Sequence, residues 1–201
     1  LVILYRFVNP PVTPLMVIRT FEQLFDEDRS VRIEKEWVDV EEVSQKMVRA
    51  IITSEDQNFM THNGFDFKAI EKAMKYNERH QGRKTRGAST VSQQTAKNVF
   101  LWPGRSWFRK GLEVYFTFMI ETFWSKKRIM EVYLNVVELG DGIYGVEAAS
   151  QKYYRIPALR LSSEQSAMLT VCLPSPLRYN PVKPSGYLKR RQQWVIRHMR
   201  Y

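Results

Sequence analysis

Apolar residues recur at three- and four-residue steps along nearly the whole chain and almost nowhere alternate with polar ones, a pattern that predicts a mainly helical protein. Val40, Val43, Met47 and Ile51 mark a first helix, with Asp39 as its cap, Glu41 and Glu42 in its first turn and Glu55 at its C-terminal end. Phe67, Ile70 and Met74 mark a second, capped by Asp66, and the basic stretch "YNERHQGRKTRG" after it reads as a loop with two glycines. Thr90 followed three residues later by Gln93 fits a capping box and opens a helix inside "GASTVSQQTAKNVF". Further on, Ser125 caps a helix whose buried stripe is Ile129, Val132, Tyr133 and Val136, with Lys127, Glu131 and Asn135 aligned on its other face and Gly140 as its stop. "GDGIYGVEAASQKYY" supplies a glycine turn and a small-residue helix, and "SSEQSAMLTVCLPSPLRYNP" a short apolar helix ended by Pro174 and Pro176. The tail "GYLKRRQQWVIRHMRY" is a basic amphipathic helix.

Two segments depart from this pattern. The chain opens "LVILYRFVNPP", seven mostly apolar residues running into an Asn-Pro-Pro break. A span needs about 20 apolar residues, so residues 1–35 read as the remnant of a membrane anchor plus a lead-in to a body formed by residues 36–201. From Phe100 to Trp124 the residues are unusually aromatic and interleaved with Arg and Lys. That composition suits a surface at the lipid headgroup boundary, a stacking platform for single-stranded nucleic acid, or a plain core helix. Trp102, Trp107 and Trp124 are the expected membrane wedges.

Length and charge sharpen this picture. The 201 residues suit one domain, and 44% apolar with 26% charged residues suits a packed core rather than disorder. Lys and Arg number 31 against 21 Asp and Glu, a formal charge of +10 that points to an anionic partner: nucleic acid, phospholipid or a phosphorylated substrate. The single cysteine, Cys172, lies in an apolar run and is expected to be a buried, inert thiol.

Several chemistries are excluded. "GRKTRGAS" lacks the lysine of a phosphate-binding loop, His62, His80 and His198 are isolated and lack metal-ligand spacing, and Ser-x-x-Lys is absent. Two polar stripes remain: Ser89, Gln93 and Lys97 fall at i, i+4 and i+8, and so do Arg105, Arg109 and Glu113. With Glu55 they offer two carboxylates among several cations, the groups that carboxylate chemistry beside an anionic leaving group would use.

"EDQNFMTHNGFD", "GASTVSQQTAKN", "RKGLE", "KKRIMEVYLNVVELGDGIYGVEAAS" and "AMLTVCLPSP" resemble the five ordered motifs of the bacterial peptidoglycan glycosyltransferases, the family 51 enzymes, over roughly residues 45–180. The chain is most similar to the monofunctional members, which lack a transpeptidase domain; "GAST" stands where many members have "GGST". The resemblance implies a lysozyme-like helical lobe with a smaller membrane-facing jaw, at roughly residues 100–124. It implies polymerisation of lipid II into glycan strands with inversion, undecaprenyl diphosphate leaving. Glu55 is then the general base and Glu113 the second catalytic carboxylate. Lys97 and Arg105 match diphosphate-contacting positions, with Arg109 and Lys110 close by, and Ser89, Gln93 and Gln94 match substrate-binding positions. Asp56 shapes the loop, and His62, Lys126, Glu131 and Asn135 are structural. A divalent cation, Mg²⁺ or Mn²⁺, would bridge the diphosphate if one is used. The implied partners are lipid II, the growing glycan chain, membrane lipid, moenomycin-type inhibitors and other cell-wall synthesis proteins, not nucleic acid. The implied location is the bacterial inner membrane, with a single-pass anchor and the catalytic domain on the outer face. The competing readings are a lysozyme-like glycoside hydrolase using the same glutamates, and a basic single-strand binding module.

Overall fold

The structure is a computed structural model that describes residues 1–27, 30–80, 85, 87–104 and 106–199. Among these, ten α-helices carry the fold: α1 (Val2–Tyr5), α2 (Pro14–Leu24), α3 (Gln45–Glu55), α4 (Phe67–Arg79), α5 (Val91–Phe100), α6 (Trp107–Phe123), α7 (Lys126–Val136), α8 (Val146–Tyr154), α9 (Ser163–Cys172) and α10 (Gly186–His198). Local chemistry starts most of them. Ser or Thr hydroxyls at positions 13, 44, 90, 106, 125, 162 and 185 accept a backbone N–H of the first turn, and Asp66 does the same for α4. The mainly helical expectation is met.

One apolar core joins α3, α5, α6, α7 and α8, with Met47, Ile51, Ile129, Tyr133 and Leu134 fully buried. α5 packs on α6 and α7. A second cluster, Ala50, Ala167, Val171, Leu188 and Val195, fastens α9 and α10 to the back of α3. That arrangement brings α10 beside the C-terminal end of α3, although the two lie far apart in sequence. A three-stranded sheet closes the side: β1 (Glu34–Lys35) pairs in parallel with β3 (Ile143–Tyr144), which pairs antiparallel with β2 (Glu138–Gly140). Gly142 makes the close approach possible. Its φ is +68°, and a Cβ there would lie 2.3 Å from the Arg32 carbonyl oxygen.

The structure corrects several boundaries. The first expected helix is two elements: Asp39 caps a 3₁₀ turn at Val40–Glu42, Val43 is extended, and Ser44 caps α3. Periodicity ran through the break because Val43 is buried either way. α7 stops at Val136 rather than Gly140, since residues 138–140 are recruited into the sheet. The second face of α7 is partnered along its length, although Lys127 at its start is exposed. Asn135 donates Nδ2–H to the Val38 carbonyl (2.8 Å) and accepts the Val38 N–H (2.9 Å), Glu131 accepts the Val40 N–H (3.2 Å), and Lys127 pairs with Glu41. On α4 the expected stripe faces outward instead, with Phe67 75% and Met74 58% exposed and Ala73 the residue it buries.

Trp124 is buried in the core and donates its indole N–H to the Val2 carbonyl (2.8 Å), so it is no membrane wedge. The opening apolar residues form α1, whose Val2 packs in the same core. No helix among the described residues is long and apolar enough to cross a membrane. Cys172 is buried as expected, and burial pushes its thiol up to about 12.

Candidate active site

Glu55 is the last residue of α3, where the helix ends and the chain turns at Asp56. Its two oxygens are held separately: Gln94 of α5 donates Nε2–H to Oε2 (2.9 Å) and Ser54 donates its hydroxyl to Oε1 (3.3 Å). Gln94 is itself braced, its Oε1 accepting from the fully buried Tyr133 hydroxyl (3.2 Å). Burial raises the pKa of Glu55 above the ordinary glutamate value, outweighing those two hydrogen bonds and the nearby charge of Arg191.

The neighbouring carboxylate serves a different purpose. Asp56 is buried, accepts the N–H of Val91 at the first turn of α5 (2.9 Å), and lies 2.9 Å from His62 Nε2. Because His62 Nδ1 accepts the Gly64 N–H (3.1 Å), Nε2 carries the proton given to Asp56. Thr90 donates its hydroxyl to the Gly64 carbonyl (2.7 Å). This web ties the loop after α3 to the start of α5 and so fixes the spacing between Glu55 and Gln94.

The cleft has two lobes. The Glu55 lobe, about 820 Å³, and a second lobe of about 530 Å³ share Ser89, Gln94 and Pro174 as a common wall. The second lobe holds Lys97 of α5 and Arg109, Lys110 and Glu113 of α6. Arg109 donates Nη1–H to Glu113 Oε2 (3.0 Å) and Lys110 its ammonium to Oε1 (2.5 Å), so one nearly inaccessible carboxylate, 3% exposed, anchors two cations. Lys97 has no hydrogen-bond or ion-pair partner for its ammonium among the described residues, and burial lowers its pKa despite the opposing pull of Glu113. An unpaired, half-buried ammonium facing a cavity is costly unless an anion arrives there.

The expected stripes are modified accordingly. Ser89 precedes the cap of α5 yet still lines both lobes. Gln93 is corrected: it is buried and its Oε1 accepts the Thr90 N–H (3.1 Å), so its side chain completes the capping box instead of facing the cleft. The pair that reaches the cleft is Gln94 and Lys97. Arg105 lies outside the described residues. Three contributions were not anticipated: Arg191 and Trp194 of α10, Lys68 and Lys72 of α4, and the ion pair of Arg19 (α2) with Glu138 (3.0 Å) at the second lobe. The basic amphipathic tail was a signal for the first, but nothing local says where it packs.

Divalent-cation binding finds little support in these residues. Among the described residues no three His, Cys, Asp or Glu groups cluster as metal ligands. The carboxylates of the second lobe, Glu113 and Glu138, are already engaged by Lys and Arg.

The cleft sets a carboxylate of raised pKa in one lobe beside a cationic lobe that shares its wall, an arrangement in keeping with a group-transfer enzyme. The transglycosylase family model matches residues 22–200. The chain is 55% identical over 195 residues to a biosynthetic peptidoglycan transglycosylase of Bdellovibrio bacteriovorus, covering 97% of this chain and 77% of the relative. It is 54% identical over 198 residues to one of Bacteroides thetaiotaomicron (98% and 79%) and 54% over 194 residues to one of Caulobacter vibrioides (96% and 81%). The chain belongs to the transglycosylase family, the glycosyltransferases of peptidoglycan synthesis.

Proposed function

We propose that this glycosyltransferase polymerises lipid II, with the acceptor's sugar hydroxyl in the Glu55 lobe and the donor's diphosphate in the Lys97 lobe. The observation that supports this reading is the shared wall of Ser89, Gln94 and Pro174, with Glu55 in the lobe on one side and the unpaired Lys97 in the lobe on the other. The N-acetylglucosamine 4-hydroxyl oxygen of the acceptor attacks the anomeric carbon of the donor's N-acetylmuramic acid, and its proton passes to the Glu55 carboxylate. The bond from that carbon to the diphosphate oxygen breaks from the opposite face, its electron pair leaving on undecaprenyl diphosphate, and the configuration inverts. The raised pKa of Glu55 makes it a stronger base once ionised.

Lys97, with Arg109 and Lys110, meets the charge that develops on the leaving group. Arg105 has the same role by its motif position. Glu113 acts here by holding Arg109 and Lys110, which refines its expected role as a second catalytic carboxylate. Ser89 and Gln94 contact substrate on the shared wall. A hydrolase reading leaves the cationic lobe without a purpose.

The catalytic body is assigned to residues 36–201, with the aromatic segment near 100–124 facing the membrane. Trp107, Phe108 and Phe118 of α6 are exposed, as a surface seated at lipid headgroups requires. That exposed surface supports a location at the bacterial inner membrane, catalytic domain outward, in company with lipid, the growing glycan and other cell-wall synthesis proteins. Moenomycin-type inhibitors would occupy the same cleft. Incubation with lipid II tests the reading: glycan polymer and undecaprenyl diphosphate are expected from the wild type, and from Glu55→Gln a rate lower by about 10²- to 10⁴-fold. Polymerisation by Glu55→Gln at the wild-type rate would overturn it.

A further inference from the structure

Beside Glu55 the cleft carries more positive charge than a sugar hydroxyl needs. Lys68 and Lys72 lie one turn apart on α4, and Arg191 reaches in from α10, all three lining the Glu55 lobe. None of the three has an ion-pair partner among the described residues. The lobe's carboxylates are occupied otherwise: Asp66 accepts from Asn58 (2.7 Å) and from the Ala69 N–H (2.9 Å), Asp56 from His62 and Val91, and Glu55 from Gln94 and Ser54. Arg191 is held in place by its guanidinium lying 4.8 Å from the centre of the Trp194 ring, a contact that orients it without neutralising it.

Lys68 and Lys72 are exposed on a helix that buries Ala73. Folding does not account for their placement.

We propose that Lys68, Lys72 and Arg191 form an anion-binding rim that seizes a negatively charged group of the acceptor and so delivers its hydroxyl to Glu55. This rests on the assignment of the Glu55 lobe to the acceptor. An acceptor of the proposed substrate class carries its charge in two places, the diphosphate and the carboxylates of its peptide, and the rim recognises either through the same charge-assisted contacts. The rim favours a charged acceptor over uncharged glycan, because only the former gains charge-assisted contacts with the three cations. Arg191 has a second consequence. Its charge offsets part of the burial that raises Glu55, so the cation that holds the acceptor also tunes the base.

The test separates acceptor from donor. A lipid-linked glycan whose terminal 4-hydroxyl is blocked can only donate, and the initial rate of addition to it is measured against acceptor concentration for the wild type, Lys68→Gln/Lys72→Gln, Arg191→Gln and the charge-preserving Lys68→Arg/Lys72→Arg. Wild-type turnover is scored first, so failure of the lipid II reading appears as no product in any arm. The inference expects the acceptor KM to rise about tenfold to a hundredfold in both Gln variants, as loss of charged hydrogen bonds does, with the donor KM little changed and the Arg pair close to wild type. Arg191→Gln should in addition move the acidic limb of the rate profile to higher pH. Repeating the titration with a peptide-free acceptor names the anion: a penalty that persists assigns the diphosphate, and one that vanishes assigns the peptide carboxylates. An unchanged acceptor KM in both Gln variants, or a fall in kcat alone, overturns the proposal.

Discussion

Removing the Glu113 carboxylate should unfold the second lobe's electrostatics from within. In Glu113→Gln the shape is kept, but Arg109, 9% exposed, loses the partner of its Nη1, and its Nε is already buried without a hydrogen bond. Breaking a buried pair from one side typically costs about 3–5 kcal/mol. Lys110 moderates this, because its side chain is 42% exposed and its ammonium can turn to water. The low end, about 3 kcal/mol, is therefore expected, which for a domain of this size corresponds to a Tm lower by roughly 6–12 °C. Thermal unfolding of Glu113→Gln, Arg109→Gln and the double variant measures the coupling. If Glu113 works by gripping Arg109, the double variant should be less destabilised than the sum of the singles. The reasoning is refuted by a Tm within about 2 °C of wild type, equivalent to less than roughly 1 kcal/mol. Polymerisation lost at unchanged stability would instead restore Glu113 as a carboxylate acting directly on substrate.

Three further outcomes follow from the same site. Because the folded-state pKa of Glu55 is raised, the folded protein binds more protons than the unfolded chain between the ordinary and the raised value, so stability falls as pH rises through that window; Glu55→Gln should thus be more stable than wild type at neutral pH while losing turnover, and a lower denaturation midpoint at pH 7 would contradict this. Lys97 is depressed in the fold, so its charged form also opposes folding; Lys97→Met should raise Tm while weakening donor use, with Lys97→Arg recovering part of the activity, and wild-type donor kinetics in Lys97→Met would show that no anion sits there. Trp107 is 93% exposed and Phe108 neighbours it, so Trp107→Ala/Phe108→Ala should leave Tm unchanged but reduce co-sedimentation with anionic vesicles, in a salt-sensitive manner; equal binding by both proteins would move the membrane contact elsewhere.

How far the sequence reveals this site depends on whether the deciding contact is local. The Thr90–Gln93 capping box spans three residues and could be read directly, but what keeps Gln93 out of the cleft is the burial of its side chain, which the pattern does not show. The four-residue stripe therefore fell one position short of Gln94, whose partner Glu55 lies 39 positions away. The basic tail that carries Arg191 is visible in the sequence but its place is not, because that follows from α9 packing on α3 and α10 on α9. Phe67 and Met74 had helical spacing without burial, for periodicity marks a face and not what covers it.

The acidic pair at the end of α3 shows what joins these levels. Glu55 closes α3 at the negative end of that helix, and burial favours its protonated form. Asp56, one residue on, meets the opposite end of another helix and accepts the N–H of Val91 at the start of α5. Two adjacent carboxylates are thus separated in task by the two helix ends they face. On the proposed mechanism the one at a C-terminus keeps basicity for a substrate proton, while the one at an N-terminus is spent on holding α5, and with it Gln94 and Lys97, beside the first.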